Sequence, residues 1–188
     1  MRGLTLVEVL IAMGLATVVG ALLVVIMVNS AGLFYTQSSR VSQGLGVNDA
    51  LGKIRSSIKE SNAVVASFST GGTTYSSSAS EIVLKIPSVN ASGTVIYNTF
   101  DYIVILQDTS KLRYQLFPDT LSSRKSQDQI FSTSLDSLTF QYLDSQNPPN
   151  EVAPTAATKV RIVLSLKQKN AQTFEMSTAT SEANLRND

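Results

Sequence analysis

The stretch "RGLTLVEVLIAMGLATVVGALLVVIMV", residues 2–28, decides how the remainder of the chain is read. From Val9 to Val28 there are twenty residues without a formal charge. At about 1.5 Å per residue, a helix of that length spans the roughly 30 Å hydrocarbon core of a bilayer. A cleaved secretory signal usually has an apolar core of about 7–15 residues ending in small residues, whereas here the apolar tract runs on through Val24, Val25, Ile26, Met27 and Val28. A plain signal anchor fits the length but leaves Glu8 unexplained. A carboxylate at the centre of a membrane helix costs about 2.5–3.5 kcal/mol on insertion scales, and acids in such segments usually face a partner. The other reading of Glu8 puts it in the interfacial layer, where it favours the positive end of the helix dipole. Ala12, Ala16 and Gly20, at i, i+4 and i+8, add a broad small-residue stripe of the kind that lets membrane helices approach.

Working outward, the 188 residues leave room for one domain beside this segment. Charged residues make up 15% of the chain, against roughly 25% in soluble proteins, and Ser and Thr supply the polar surface instead. The net charge is +1 and no run of Lys or Arg exceeds two, so no electrostatic footprint for nucleic acid is visible. Cysteine and histidine are both absent, which removes disulfides, thiolate nucleophiles, Cys/His zinc sites and imidazole catalysis.

After Val28 polar residues take over. Leu45, Val47, Leu51, Ile54 and Ile58 recur near the helical period, with Lys53, Arg55, Lys59 and Glu60 largely on the other side. This is an amphipathic continuation that docks on its own domain; helical throughout, Leu4 to Ser61 would measure roughly 87 Å. Residues 67–80, "SFSTGGTTYSSSAS", read as a loop. Strands follow: Ile82, Leu84 and Ile86 alternate with Val83 and Lys85, and Pro87 ends that run or puts it at an edge. "DYIVILQ" and "LRYQLF" around Asp108–Lys111 form a hairpin whose first strand is central. Leu138, Phe140 and Tyr142 share one face, as do Val160, Ile162, Leu164 and Leu166. "SQNPPNEVAPTAAT" between them is a contact surface or disorder, and "TFEMSTAT" is a final strand. The organisation expected is a segment 1–3, a transmembrane helix 4–28, its amphipathic continuation 29–62 and a β-rich head 63–188. Together these give an α+β fold with a long N-terminal helix, transmembrane in its first half, packed on an antiparallel sheet.

Gly3, Leu4, Thr5, Leu6, Val7, Glu8, Val9, Leu10, Ile11 and Ala12 resemble the G-[FLM]-T-L-x-E-x-[LM]-[IV]-A signature of type IV prepilins and type II secretion pseudopilins. The "SLTFQYLDSQN" segment, "VRIVLSL" and the Leu185-Arg186-Asn187 ending are similar to minor pilins of the PilW and GspJ type. The resemblance implies a pilin-like fold, with residues 1–3 as a leader. Prepilin peptidase would cleave after Gly3, and the new terminal Leu4 would be N-methylated. Glu8 would register the subunit against a neighbour's ammonium during filament assembly. The partners implied are other pilin or pseudopilin subunits, prepilin peptidase, an inner-membrane assembly platform and membrane lipid. The head would lie outside the cytoplasm. Leu4 stands where many pilins begin with Phe, and the first proline is Pro87, so the mid-helix proline of many major pilins is missing.

Other chemistry has little support. Asp144, Asn147, Asn150 and Glu151 lack the fixed spacing of a calcium loop. Asp101, Asp108, Asp119, Asp128 and Asp136 are spread singly, so no carboxylate pair is set up for acid-base work. No G-x-S-x-G singles out a serine. Asn90-Ala91-Ser92 fits the N-glycosylation triplet. The expectation is a structural subunit with no enzymatic activity, catalytic residue, metal or cofactor. The alternative is a single-pass membrane-anchored domain that binds a ligand or acts as a sensor.

Overall fold

The computed structural model describes residues 5–170 and 173–186, without the side chains of 33–45, 168–170 and 173. Among the described residues one α-helix, α1 (Leu6–Glu60), precedes ten strands. The chain forms two compact units that divide between Ser42 and Gln43, inside α1.

In the first unit, α1 runs through the apolar stretch Leu6–Gly32, whose mean hydropathy is 2.8 and of which nothing is buried by the protein. This is one helix long and apolar enough to cross a membrane, and it begins earlier and ends later than the charge-free run from Val9 to Val28. A helix through this mostly apolar stretch pairs its backbone groups internally except at its ends, the requirement for a chain in lipid.

The second unit uses the helical period in the opposite way. Val47, Ala50, Leu51, Ile54 and Ile58 are buried, while Lys53, Arg55, Lys59 and Glu60 are exposed. The stripe docks on two antiparallel sheets. The larger has the order β1-β4-β5-β6-β7, from β1 (Ala63–Val64), β4 (Glu81–Val89), β5 (Val95–Asp108), β6 (Lys111–Phe117) and β7 (Gln127–Ser132). The smaller has the order β10-β9-β8, from β8 (Leu135–Leu143), β9 (Lys159–Asn170) and β10 (Thr173–Asn184). A single core joins them: Ile54 and Ile58 of α1, Ile82 and Leu84 of β4, Ile103 and Ile105 of β5, Phe140 of β8, and Ile162 and Leu164 of β9. The alternations expected for β4, β8 and β9 are all present, and β5 is central.

The α+β architecture stands, and three details sharpen or correct the reading. Residues 67–80 are not a loop. β2 (Ser67–Thr70) and β3 (Thr73–Ser76) form a hairpin around Gly71 and Gly72, both at positive φ (55° and 79°), which is the two-residue turn that glycine pairs favour. Phe68 stacks on Tyr102 with centroids 4.2 Å apart, and Tyr75 leans on Phe117 at 5.5 Å. The hairpin thereby lies over the side of the larger sheet that carries Val83 and Val104, both fully buried and outside the main core. Second, of the two readings of Pro87 the edge one holds: β4 continues to Val89 while β1 pairs only with Leu84 and Lys85, so among the described residues no strand flanks β4 on that side at Pro87, whose carbonyl accepts from Arg124 instead, and the register with β5 slips between Pro87 and Val89. Third, the connection 144–158 is ordered. Asp144 Oδ1 accepts the amides of Gln146 and Asn150, Val152 N donates to Tyr142 O at 2.9 Å, and Pro154–Ala156 makes a 3-10 turn.

Candidate functional site

The first turn of α1 holds the single charge of the apolar stretch. Thr5 caps the helix and Glu8 stands three residues on. Thr5 N donates to Glu8 Oε2 at 2.8 Å, Thr5 Oγ1 donates to the same oxygen at 3.0 Å, and Glu8 N donates to Thr5 Oγ1 at 3.4 Å. This is a reciprocal capping box: each residue's side chain takes an amide that the helix start leaves without an intrahelical acceptor. Glu8 also favours the positive end of the helix dipole. Both donated bonds fall on Oε2, and Oε1 has no partner among the described residues. From Leu6 to Val28 the large side chains around and beyond it are mostly more than half exposed, Leu6 at 77% and Val28 at 65%. The protein therefore supplies no apolar environment of its own to this face of the chain.

Gly3 and Leu4, the expected cleavage junction, lie outside the described residues. Glu8 is where the sequence puts it, near the helix start. The sequence reading missed Thr5, although the pattern Thr-x-x-Glu just before an apolar run was in view.

No family model matches the chain, and no curated protein matches it. The chemistry therefore rests on the residues themselves, and the second unit offers few groups to carry it. Among the described residues there is no group of three or more acids able to hold a metal ion. Asp144 and Asn150 do come together, but as a turn: Asn150 Nδ2 reaches Asp144 Oδ2 at 3.2 Å, and the Asn150 amide holds the Asp144 carboxyl below its usual range. Two surface cavities, of about 320 and 350 Å³, each include a cation that is already paired. In the first, Lys159 meets Glu182 at 3.7 Å; in the second, Arg113 meets Asp128 at 2.6 Å. Asn90 sits at the exposed β4–β5 tip, where its Oδ1 accepts Ser92 N at 3.0 Å and Thr94 N at 2.9 Å, an ordinary Asx turn.

One acid behaves differently. Asp101 is fully buried on β5, and the fold surrounds it with partners although it stands singly in the sequence. Ser88 Oγ donates to its Oδ1 at 2.6 Å and Asp119 N at 2.9 Å; Ser122 Oγ and Arg124 donate to its Oδ2 at 2.8 and 2.7 Å. Burial pushes its pKa up, yet the four donors outweigh burial and hold it below the usual carboxylate value. Arg124 also donates to Pro87 O at 2.5 Å, so the pair clamps the 118–126 loop across β4 and β5. Nothing in the sequence marks it, because its members are set side by side only by the folded sheet. With both carboxylate oxygens filled and the carboxyl fully buried, this cluster is structural.

Proposed function

We propose that the chain is a minor pilin or pseudopilin, made as a prepilin, cut behind Gly3 and built into a filament through α1. The observation that carries this reading is the state of Glu8. It is the lone charge on the apolar stretch Leu6–Gly32, which the protein leaves bare, and among the described residues one of its carboxylate oxygens has no partner. An acid so placed in lipid is costly alone and attracts an opposite charge strongly. The ammonium of Leu4, released when the leader is removed, is such a charge on a sister subunit. The protein then acts as a structural component and not as an enzyme, with its second unit outside the cytoplasm. Its partners are other subunits, the prepilin peptidase that processes it, and the membrane assembly platform.

Two measurements test this. The mature chain should begin at Leu4, N-methylated, when prepilin peptidase is present, and at Met1 when it is absent; a chain beginning at Met1 in both cases overturns the proposal. Glu8→Ala should abolish filament incorporation while membrane insertion persists. If α1 were only a tether for a ligand-binding domain, the same change would leave both intact.

A further inference from the structure

The two sheets of the second unit treat their edges differently. At one flank of the larger sheet β7 is six residues long, its register with β6 slips between Leu112 and Arg113, and Asp128 is tied across the pair to Arg113. At the other flank β1 has two residues, and Pro87 stands just beyond its partners on β4. Short strands, bulges, charges and proline are the means by which an edge avoids pairing with another chain. β10 lacks them. It runs for 12 residues with no Lys, Arg or Pro, and its register with β9 is unbroken from Lys159↔Asn184 to Asn170↔Thr173. Among the described residues no strand pairs with its outer flank.

The strand is also held in place. Side chains alternate between the faces of a strand, and directly paired residues share a face. On one face of β10, Ala179 packs against the core and Ala183 is buried. On the other, Phe174, Met176, Thr178 and Thr180 are exposed, the first two at 62% and 61%. This outward face carries opposite charges towards its two ends. Near one end Glu182 is the charge closest to the edge, since Lys159 and Arg161, which pair with it, lie on β9 one strand further in. Towards the other, Lys167 of β9 is paired with Met176, and its Nζ lies 4.8 Å from the centre of the Phe174 ring.

We propose that β10 is a dimer edge, on which a second copy of this chain lays its own β10 antiparallel. A two-fold axis perpendicular to the sheet keeps each face on its own side, so it passes through a residue that pairs with itself. The longest pairings are centred on Thr178 or Ala179, and the position of Lys167 over Phe174 favours Thr178. In that register Glu182 of the second copy falls opposite Phe174, beside Lys167, and Met176 falls opposite Thr180. No like charges meet, because Glu175 on the other face falls opposite Ser181. The edge is thus complementary to itself, which is the argument for a second copy over a foreign strand. The product is one continuous six-stranded sheet, β8-β9-β10 running into β10-β9-β8 of the second copy, and the two-fold uses up both edges. The inference does not depend on what α1 does in a membrane.

The chain contains no cysteine, so introduced thiols report without background. Full-length chains in detergent micelles, each carrying one of Met176→Cys, Thr178→Cys or Thr180→Cys, are treated with a short bifunctional thiol linker. Thr178→Cys should cross-link to itself severalfold faster than either of the others, whose own copies stand roughly 14 Å apart in this register. A mixture of Met176→Cys and Thr180→Cys should cross-link as fast as Thr178→Cys alone. Adding Thr180→Lys to Thr178→Cys sets a second cation in the row of Lys167 and should slow the reaction severalfold. Lys167→Glu, which leaves β10 itself unchanged and opposes Glu182 of the second copy, should do the same, with near-ultraviolet dichroism of the tyrosines retained in both. Equal reaction at all three positions, or none at any, overturns the proposal, the first in favour of association through another part of the chain. Fastest reaction at Met176→Cys or Thr180→Cys overturns the register and the charge match with it. A rate that neither Thr180→Lys nor Lys167→Glu changes refutes the edge contact.

Discussion

Asp101 and Glu8 are both acids set in apolar sequence, and the protein treats them in opposite ways. Asp101 is enclosed by its own fold: Ser88, Asp119, Ser122 and Arg124 fill both of its oxygens, and no solvent reaches it. Among the described residues Glu8 receives a single one, Thr5, on a single oxygen. A buried carboxylate is tolerated only when its hydrogen-bonding capacity is met. Asp101 is a finished structural device. Among the described residues Glu8 is finished only as a helix cap, with Oε1 unfilled.

The sharpest way to break this contrast is to delete each acid in turn. Asp101→Ala leaves Arg124, 28% exposed, facing the gap, and removing one partner of a buried pair typically costs about 3–5 kcal/mol. The thermal midpoint of the second unit should fall by many degrees, followed by near-ultraviolet dichroism of its tyrosines. Glu8→Ala should leave that midpoint unchanged, because none of the contacts recorded for Glu8 reaches beyond Thr5. A large drop from Glu8→Ala, or none from Asp101→Ala, would remove the distinction.

Acid should reproduce the first effect more gently. The folded pKa of Asp101 lies below its unfolded value of about 3.9, so its stabilisation is complete above that pH and is lost as pH falls through the folded value. Asp128 and Glu182, lowered by Arg113 and Arg161, run the same way but are exposed and contribute less. Glu81 runs the other way, its pKa raised by burial against the Ser76 amide. The expected outcome is a second unit of nearly constant stability from neutral pH down to about 4 and a decline below it, flatter in Asp101→Asn than in the parent. A parent that loses stability equally between pH 7 and 5 would assign the acid sensitivity elsewhere.

What the sequence disclosed follows the same division. Periodicities are local, so the buried stripe of Val47, Leu51, Ile54 and Ile58, the alternating faces of β8 and β9, and the apolar run were all legible, and with them the α+β class. The β2–β3 hairpin was hidden because its strands are Ser, Thr and Gly. They are held by Phe68 and Tyr75 on rings contributed by β5 and β6, a tertiary contact that no window around residue 70 contains. The Asp101 cluster was hidden for a related reason, since Asp101 and Arg124 are brought together by strand pairing. Of the candidate site, Glu8 was legible as an anomaly of charge. Thr5 was overlooked because the same residues drew the eye as an apolar segment, although a helix in lipid has the same orphan amides at its start as one in water.

The smallest effect decides most about Glu8. Thr5→Ala removes the hydroxyl that both donates to Glu8 Oε2 and accepts from Glu8 N, while the amide of residue 5 can still reach the carboxylate. Losing such a cap costs about 0.5–2 kcal/mol of helix stability. It should appear as faster hydrogen exchange confined to the first turn of α1, with Thr5→Ser restoring protection. If capping were the whole purpose of Glu8, then Thr5→Ala and Glu8→Ala would impair filament incorporation to a similar, modest degree. If the open oxygen is what a neighbouring subunit meets, Thr5→Ala should retain most incorporation while Glu8→Ala retains none. Equal losses in the two variants would reduce Glu8 to a cap and leave the assembly reading without its principal support.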